Sequence, residues 1–308
     1  MSTFNGHIKE FPSIRIDYFR PSSPNETPPL AYFLSHVHSD HLIGLETCKS
    51  PFIYCSPATR DILLRLEKYP HRMNFAKGIL ETRRQTYGHL RKLLKAIPLE
   101  APTVIELAPG QRIRVSLFEA NHCPGAVGFL IEGEGKAVFY SGDVRAEKWW
   151  VEQLVRSPLM VPYTVPEGRG LDCVYLDTTF ASKGEGGRYR EFPSKAEGLR
   201  ELVEKVSRYP DDTVFYYDAW TFGYEDVWLT LAAVLDTQVH VDDYRYGLYR
   251  ALANGVEPKA PEAVKLIGFN FGNRYQEGCI TDRQTRLHSC ERGTGCLVWD
   301  RGECVQAL

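Results

Sequence analysis

Four side chains able to ligate a metal fall within six residues in the run His36-Val37-His38-Ser39-Asp40-His41. Imidazole nitrogens and carboxylate oxygens are the ligands that borderline and hard divalent cations take. The run follows an apolar segment, 31–35, that reads as a buried strand. At a strand end, residues two apart point the same way, so His36 and His38 can share one ion. Asp40 and His41, adjacent at the start of the helix that follows, point towards a second. The remaining ligands are expected from other strand ends. His122 lies in Asn121-His122-Cys123-Pro124-Gly125 after a strand at 111–119, and Asp143 lies in Ser141-Gly142-Asp143 at the end of a strand at 136–142. Asp143 is the natural carboxylate to bridge two ions, whereas Cys123 reads as a small buried neighbour. Two such ions supply a hydroxide near neutral pH and neutralise charge building on phosphoryl oxygens. The predicted chemistry is hydrolysis of an electrophile such as a phosphodiester, with no Ser-His-Asp order or activated cysteine required.

A second constellation lies further along the chain. Arg286-Leu287-His288-Ser289-Cys290 is followed by Cys296 and Cys304, and His240 sits in the strand-like Gln238-Val239-His240-Val241. His240, His288, Cys290 and one more cysteine, Cys304 or Cys296, make a tetrahedral N₂S₂ zinc site. Such a site has no open coordination position and is structural.

The elements that must position these groups follow from apolar patterning. Strand-like runs at 13–17, 30–35, 52–55, 103–107, 111–119, 126–132 and 136–142 are bounded by Pro, Gly or polar turns, with helical patterns at 56–66, 79–95 and 146–155. From about residue 171 the texture changes to alternation: strands at 171–177, 213–217 and 238–241, helices at 194–208, 224–235 and 245–253. That order favours a parallel sheet. The stretch 181–192 is the expected boundary, giving a β-rich first domain over 1–182 and an α/β domain over 183–308. The chain has 308 residues, a net charge of −2 and no internal repeat, so it is long enough for two cores but does not announce a nucleic-acid partner by bulk charge. No apolar run suits a signal peptide or a membrane span, and eight cysteines are too sparse for a disulfide scaffold, so an intracellular protein is expected.

Local charge is more informative. Between Arg65 and Lys95 the chain carries nine basic residues, among them Arg83, Arg84, Arg91 and Lys92, against two acidic ones. That concentration suits a phosphate-tracking surface as well as a solvated helix face whose leucines pack inward. Arg145 and Lys148, just after Asp143, are candidates for contact with a scissile-strand phosphate or for a structural salt bridge. The aromatic run Phe215-Tyr216-Tyr217 with Trp220, Phe222 and Tyr224 reads mostly as core, with a ring or two left to stack on an unpaired base.

The HxHxDH run with its later His and Asp resembles the metallo-β-lactamase superfamily. Residues 136–148 (KAVFYSGDVRAEK), 174–180 (VYLDTTF) and the NHCPGAVGFL run are similar to its β-CASP branch of nucleases. Further runs, YFLSHVHSDHLIGL, YCSPATRDILL, FGYEDVWLTL and QVHV, match DNA double-strand-break repair members of that branch, so the likeness spreads from about residue 13 to 290. The resemblance implies an α/β fold, a metallo-β-lactamase αββα sandwich with an inserted β-CASP domain. It implies a first metal on His36, His38, His122 and Asp143, and a second on Asp40, His41 and Asp143. One or two zinc ions are expected there, with Mg²⁺ or Mn²⁺ as alternatives at the second position. Asp177 matches an acidic residue beside the metal centre, and Asp17 in SIRIDYF matches an early family Asp read as orienting the histidines from behind. A structural zinc held by two His and two Cys is implied as well. The family closes its second metal site with a His near the end of its catalytic region. None of the nine histidines here follows His288, so the closing part of the lactamase domain is expected to be absent from this chain.

The function expected from the resemblance is a nuclear DNA nuclease, exonucleolytic from a 5′ end or endonucleolytic at hairpins and overhangs. It would act in end processing or crosslink repair, with DNA and DNA-repair proteins as partners and no membrane. The alternatives are an RNA-processing relative, a small-molecule hydrolase on the same fold, and a scaffold without turnover.

Overall fold

In the computed structural model the chain alternates short strands with short helices, and residues 5–21, 26–69, 71–74, 79–82, 84–179, 192–219, 222–253, 259–291, 294, 296 and 298 are described. It divides into two units, Met1–Asp177 and Thr178–Leu308. Most of the stretch 181–192, and Trp220, lie outside the described residues.

In the first unit the order is β1 (Ile14–Ile16), β2 (Ala31–Phe33), β3 (Ile53–Cys55), α1 (Pro57–Leu63), β4 (Glu67–Lys68), β5 (His71–Asn74), β6 (Ile79–Thr82), β7 (Gln85–Thr86) and β8 (Leu94–Ala96). Next come β9 (Thr103–Ala108), β10 (Gln111–Glu119), β11 (Val127–Gly133), β12 (Lys136–Tyr140), α2 (Lys148–Arg156), α3 (Val161–Thr164) and β13 (Cys173–Tyr175). Strands β1, β2, β3 and β8 form a parallel sheet in that order. A second sheet, in the order β13-β12-β11-β10-β9, is antiparallel except where β13 runs parallel to β12. Ile14, Ile16, Ala31 and Phe33 from the first sheet share one buried cluster with Val115, Leu117, Val127, Phe129, Val138 and Tyr140 from the second. The sheets therefore pack face to face, each strand turning alternate apolar side chains inward. Phe118, Leu130 and Phe139, on the opposite face of the second sheet, pack against Met160 and Leu154 from the α2–α3 region. Among strands that read clearly from their alternation, 103–107, 111–119 and 126–132 sit within a residue of β9, β10 and β11.

The segment 79–95 is not the helix that its Leu, Lys and Arg content predicts. It forms the antiparallel pairs β5–β6 and β4–β7, a 3₁₀ turn at Gly88–Lys92, and β8. Tertiary pairing outweighs helix propensity here. Strand β3 would otherwise leave an open edge, and β8 satisfies it, with Ile53 and Leu93 bonded across at 3.0 Å. Among the described residues of the stretch, Tyr87, Leu90 and Leu94 are buried, a spacing set by this packing.

The second unit holds α4 (Lys195–Val206), β14 (Phe215–Tyr216), α5 (Glu225–Val234), β15 (Val239–His240), α6 (Asp243–Ala253), α7 (Pro261–Ile267), β16 (Gly268–Phe271), β17 (Arg274–Glu277), β18 (Ile280–Thr281) and β19 (Leu287–His288). Helix α4 starts with a capping box, Ser194 accepting from the Glu197 backbone while the Glu197 side chain reaches back to the Ser194 N–H. Strands β14, β19, β15 and β18 form an all-parallel sheet, the topology that alternation of strands and helices predicts. The molecule thus has an α/β architecture in both units. No described helix is long and apolar enough to cross a membrane.

Candidate metal centre

Strand β2 stays apolar through Phe33 and Leu34 and then delivers Ser35, His36, Val37 and His38, after which the chain tightens into a 3₁₀ turn at Ser39–His41. His36 and His41 are buried and His38 is half-buried. The His36 and His38 rings lie 4.6 Å apart between centroids and nearly perpendicular, and the His41 ring is 4.1 Å from that of His36. His122 joins from the loop after β10, its ring 4.9 Å from His36 and 4.8 Å from His38. Two left-handed residues shape that loop. Asn121 has φ 52° and donates its amide to the Arg145 carbonyl at 3.0 Å, and Gly125 has φ 80° where a Cβ would stand 2.7 Å from the Thr59 nitrogen. At the end of β12, Gly142 passes so close to Ser35 that a Cβ would come within 3.1 Å of the serine's own.

Asp143 follows. Its Oδ2 is 3.8 Å from Nε2 of His36 and 3.8 Å from Nε2 of His122, and its Oδ1 is 3.2 Å from Nε2 of His41. Asp40 Oδ2 lies 3.5 Å from the same His41 nitrogen. Two ligand groups result, His36–His38–His122–Asp143 and Asp40–His41–Asp143, each with one ligand atom per residue within 4.8 Å of the others. Asp143 belongs to both. All six residues expected at this site are thus brought together.

Burial, with His41 and His38 nearby, drives the His36 pKa well below its ordinary value, and burial with His38 brings His122 down to about 4. Both offer a lone pair at neutral pH. Burial pulls His41 the same way, but Asp17 and Asp143 outweigh it and hold that imidazole up at about 10. Burial alone would raise Asp143, and the imidazole of His41, 3.2 Å away, carries it below the usual carboxylate value instead. The carboxylates therefore call for positive charge at this point, which a proton or a divalent cation supplies. Nε2 of His36 and Nε2 of His41 are buried with no hydrogen-bond partner, the latter near Asp143 but off hydrogen-bonding geometry. An unfilled buried nitrogen costs about 1–3 kcal/mol. A donor set of imidazoles and carboxylates around such nitrogens fits one or two divalent cations.

Asp17, just after β1, lies behind the histidines with φ 55° and is buried. It accepts hydrogen bonds from the Ser35 N–H at 2.7 Å, the Ser35 hydroxyl at 2.6 Å and the Tyr140 hydroxyl at 3.0 Å, and meets Nδ1 of His41 at 3.0 Å. Ser35 and Tyr140 are not singled out by sequence. The signal that was there is a polar atom on each of two otherwise apolar strand ends. Asp177, at the end next to β13, donates its N–H to the Ser141 hydroxyl at 3.0 Å and accepts from the Val144 N–H at 3.5 Å. It lies beside the cluster but outside both ligand groups.

In the second unit His240 and His288 are in register on adjacent parallel strands, their rings 5.1 Å apart. Cys290 and Cys296 complete a four-residue group, all buried, with Cys296 Sγ 3.5 Å from His288 Nδ1. The structure thus brings Cys296 to the fourth position, while Cys304 lies outside the described residues. Burial lowers His240, and burial with His240 lowers His288 to about 4, whereas burial with Cys296 raises the Cys290 thiol to about 12. His240 Nδ1 and His288 Nε2 are buried without hydrogen-bond partners, so this donor set also fits a cation.

The basic residues expected at phosphate are mostly engaged elsewhere. Arg145 pairs with Glu147 at 2.8 Å, Arg84 pairs with Glu67, and Lys148 faces solvent 3.9 Å from Glu152. Arg91 and Lys92 lie exposed on the 3₁₀ turn whose Leu90 points inward, and Arg83 is outside the described residues.

Comparison with known proteins finds one family profile and several relatives similar to this chain. A family profile for the anti-Pycsar protein Apyc1 matches residues 30–161. Protein artemis from Rattus norvegicus is 31% identical over 327 residues, 100% of this chain and 39% of the relative. Protein artemis from Homo sapiens is 32% identical over 324 residues, 99% of this chain and 39% of the relative. The 5′ exonuclease Apollo of Gallus gallus is 31% identical over 221 residues, 72% of this chain and 40% of the relative. The chain belongs to the metallo-β-lactamase/β-CASP family. Within it, the full-length likeness is to the Artemis-type proteins, of which the chain spans about 39% of the length.

Proposed function

We propose that this chain is a metal-dependent DNA nuclease hydrolysing phosphodiester bonds, acting in the nucleus in double-strand-break or interstrand-crosslink repair alongside DNA-repair proteins. The observation that carries the reading is Asp143, one carboxylate common to two adjacent ligand groups. The relatives named Protein artemis and 5′ exonuclease Apollo support DNA as the substrate. The first unit would then be the lactamase-type sandwich and the second the β-CASP domain, with their boundary between 177 and 183.

In this reading His36, His38, His122 and Asp143 hold a first zinc. Asp40, His41 and Asp143 hold a second ion, zinc or else Mg²⁺ or Mn²⁺. Such a pair of cations lowers the pKa of a water molecule and offsets charge on phosphoryl oxygens. The chain's own residues do the rest. Asp143 fixes the spacing of the two positions, and neutral His36 and His122 keep their lone pairs available. Asp177 is the candidate proton acceptor at the next strand end. Zinc on His240, His288, Cys290 and Cys296 would be structural.

The test is metal analysis of the purified chain followed by incubation with 5′-phosphorylated single-stranded and hairpin DNA. Cleavage lost in Asp143→Ala is the expected result. Cleavage of RNA alone would identify an RNA-processing relative, and bound zinc without cleavage of either would identify a scaffold.

A further inference from the structure

We propose that one face of the β16–β17 hairpin is a stacking platform for unpaired DNA bases, built from the rings of Phe269 and Phe271 with Arg274 beside them for a backbone phosphate. The proposal rests on DNA as the substrate in the reading above, and goes further by assigning a surface of the second unit that holds a single-stranded part of it.

Strand alternation sorts the side chains of the hairpin. Phe269 and Phe271 are two apart in β16 and share a face. The antiparallel register sets Gln276 opposite Phe269 and Arg274 opposite Phe271, and directly opposed residues lie on the same face. That face therefore carries two phenyl rings, an amide and a guanidinium. Asn270, Tyr275 and Glu277 fall on the other face, so the carboxylate of the hairpin is turned away from the rings and the ring face bears positive charge alone. Phe271 is 78% exposed and Phe269 41%, and Arg274 and Gln276 are exposed beside them. Along the strand the two rings stand about 6.7 Å apart, two stacking steps of about 3.4 Å. Every base has a π face to lay on such a ring, but in a duplex both faces are already covered by neighbours. A guanidinium next to the rings meets the phosphate that accompanies each base. An apolar protein segment would use the rings and leave that charge idle.

Folding does not call on that face. A two-stranded hairpin is marginal in water by itself, and this one is anchored from its opposite side. Tyr275 donates its hydroxyl to the Ile267 carbonyl at the end of α7, at 2.9 Å. Gly268, at φ 107°, leaves the room that this side chain takes, since a Cβ there would stand 2.6 Å from the tyrosine oxygen. Gly278 passes so close to α7 that a Cβ would come within 2.1 Å of the Leu266 carbonyl oxygen. The strands are joined by Gly272-Asn273, with Gly272 at φ 59°, the left-handed start that two-residue hairpin turns favour. The backbone under Phe269 and Phe271 is thus fixed without help from their rings. Aromatic rings on strands with open edges are a liability for aggregation, and a binding role accounts for their being there.

The test is fluorescence anisotropy on the full chain with labelled oligo-dT and with a duplex of equal length, with melting curves and DNA cleavage read on the same preparations. Phe271→Ala should weaken oligo-dT binding about 5–20-fold, and the double variant with Phe269→Ala more, while duplex affinity and melting stay as in the parent. Phe271→Trp should restore the affinity, and its added indole emission should be quenched when oligo-dT binds. Arg274→Ala should shrink the slope of log affinity against log salt on oligo-dT by about 0.7. Oligo-dT affinity unchanged in the folded double variant, or an equal loss on the duplex, overturns the platform. If the parent still cleaves DNA in that case, the nuclease reading stands without it. Ring-dependent binding of oligo-dT by a parent that cleaves nothing upholds the platform and removes the nuclease. A parent that binds no DNA overturns both.

Discussion

The two ligand clusters of this chain use the same kind of scaffold, histidines at the ends of strands, and differ in what surrounds them. The cluster in the first unit mixes imidazoles with carboxylates, and several of its ligands stay accessible, among them Asp40 with 41% of its side chain exposed, Asp143 with 33% and His122 with 27%. The cluster in the second unit is two imidazoles and two thiols, every one buried. Accessible ligands and a shared carboxylate leave room for a substrate oxygen to approach. Four buried nitrogen and sulfur ligands fill a tetrahedron and leave none. In the proposed function, ligand identity taken together with burial is what separates a catalytic cluster from a structural one.

The comparison is most sharply broken by thiol loss in the second unit. Cys290→Ser, or exhaustive zinc removal, should abolish cooperative melting of residues 178–308, because zinc binding at closed sites contributes on the order of 10 kcal/mol to folding. A calorimetric trace with the parent's transitions intact would place the structural role elsewhere. Next in size is Asp143→Ala. Turnover on DNA should fall by about 10³ or more, roughly 4 kcal/mol in the transition state, while the melting temperature moves by only a few degrees. If it melts as Cys290→Ser does, the division between the clusters fails.

Asp40→Ala sharpens the picture within the first cluster. A loss of about 10²-fold in rate is expected, with the first zinc retained by metal analysis. An unchanged rate would sink the two-ion mechanism. The smallest effect is expected from Arg91→Ala combined with Lys92→Ala, exposed residues on the 3₁₀ turn. If both touch phosphates, DNA affinity should drop several-fold and the slope of log affinity against log salt should shrink by about 2. Equal slopes in the parent and the double variant would make this turn a solvated face.

What could be read from the chain itself is whatever depends on near neighbours. His36, His38, Asp40 and His41 are four ligands in six residues at the end of an apolar strand, and the period of a strand alone aims the first two together. His122 and Asp143 were legible for a similar reason, each three residues beyond the end of an apolar-rich strand. The stretch 79–95 was not legible, because its Leu, Lys and Arg content favours a helix in isolation while the open edge of β3 is a partner that no local pattern reveals. The fourth thiol was left open between Cys296 and Cys304, since a loop's path decides which sulfur returns to His288.

The kind of chemistry was therefore determined by sequence: the supply of imidazoles and carboxylates, and the strand ends that carry them. Tertiary structure alone decided that Ser35 and Tyr140 are the groups that meet Asp17 behind the histidines. Residues 17, 35 and 140 are far apart along the chain, and hydrogen-bond geometry between such residues exists only once two sheets have packed face to face. Residue spacing carries no record of that packing.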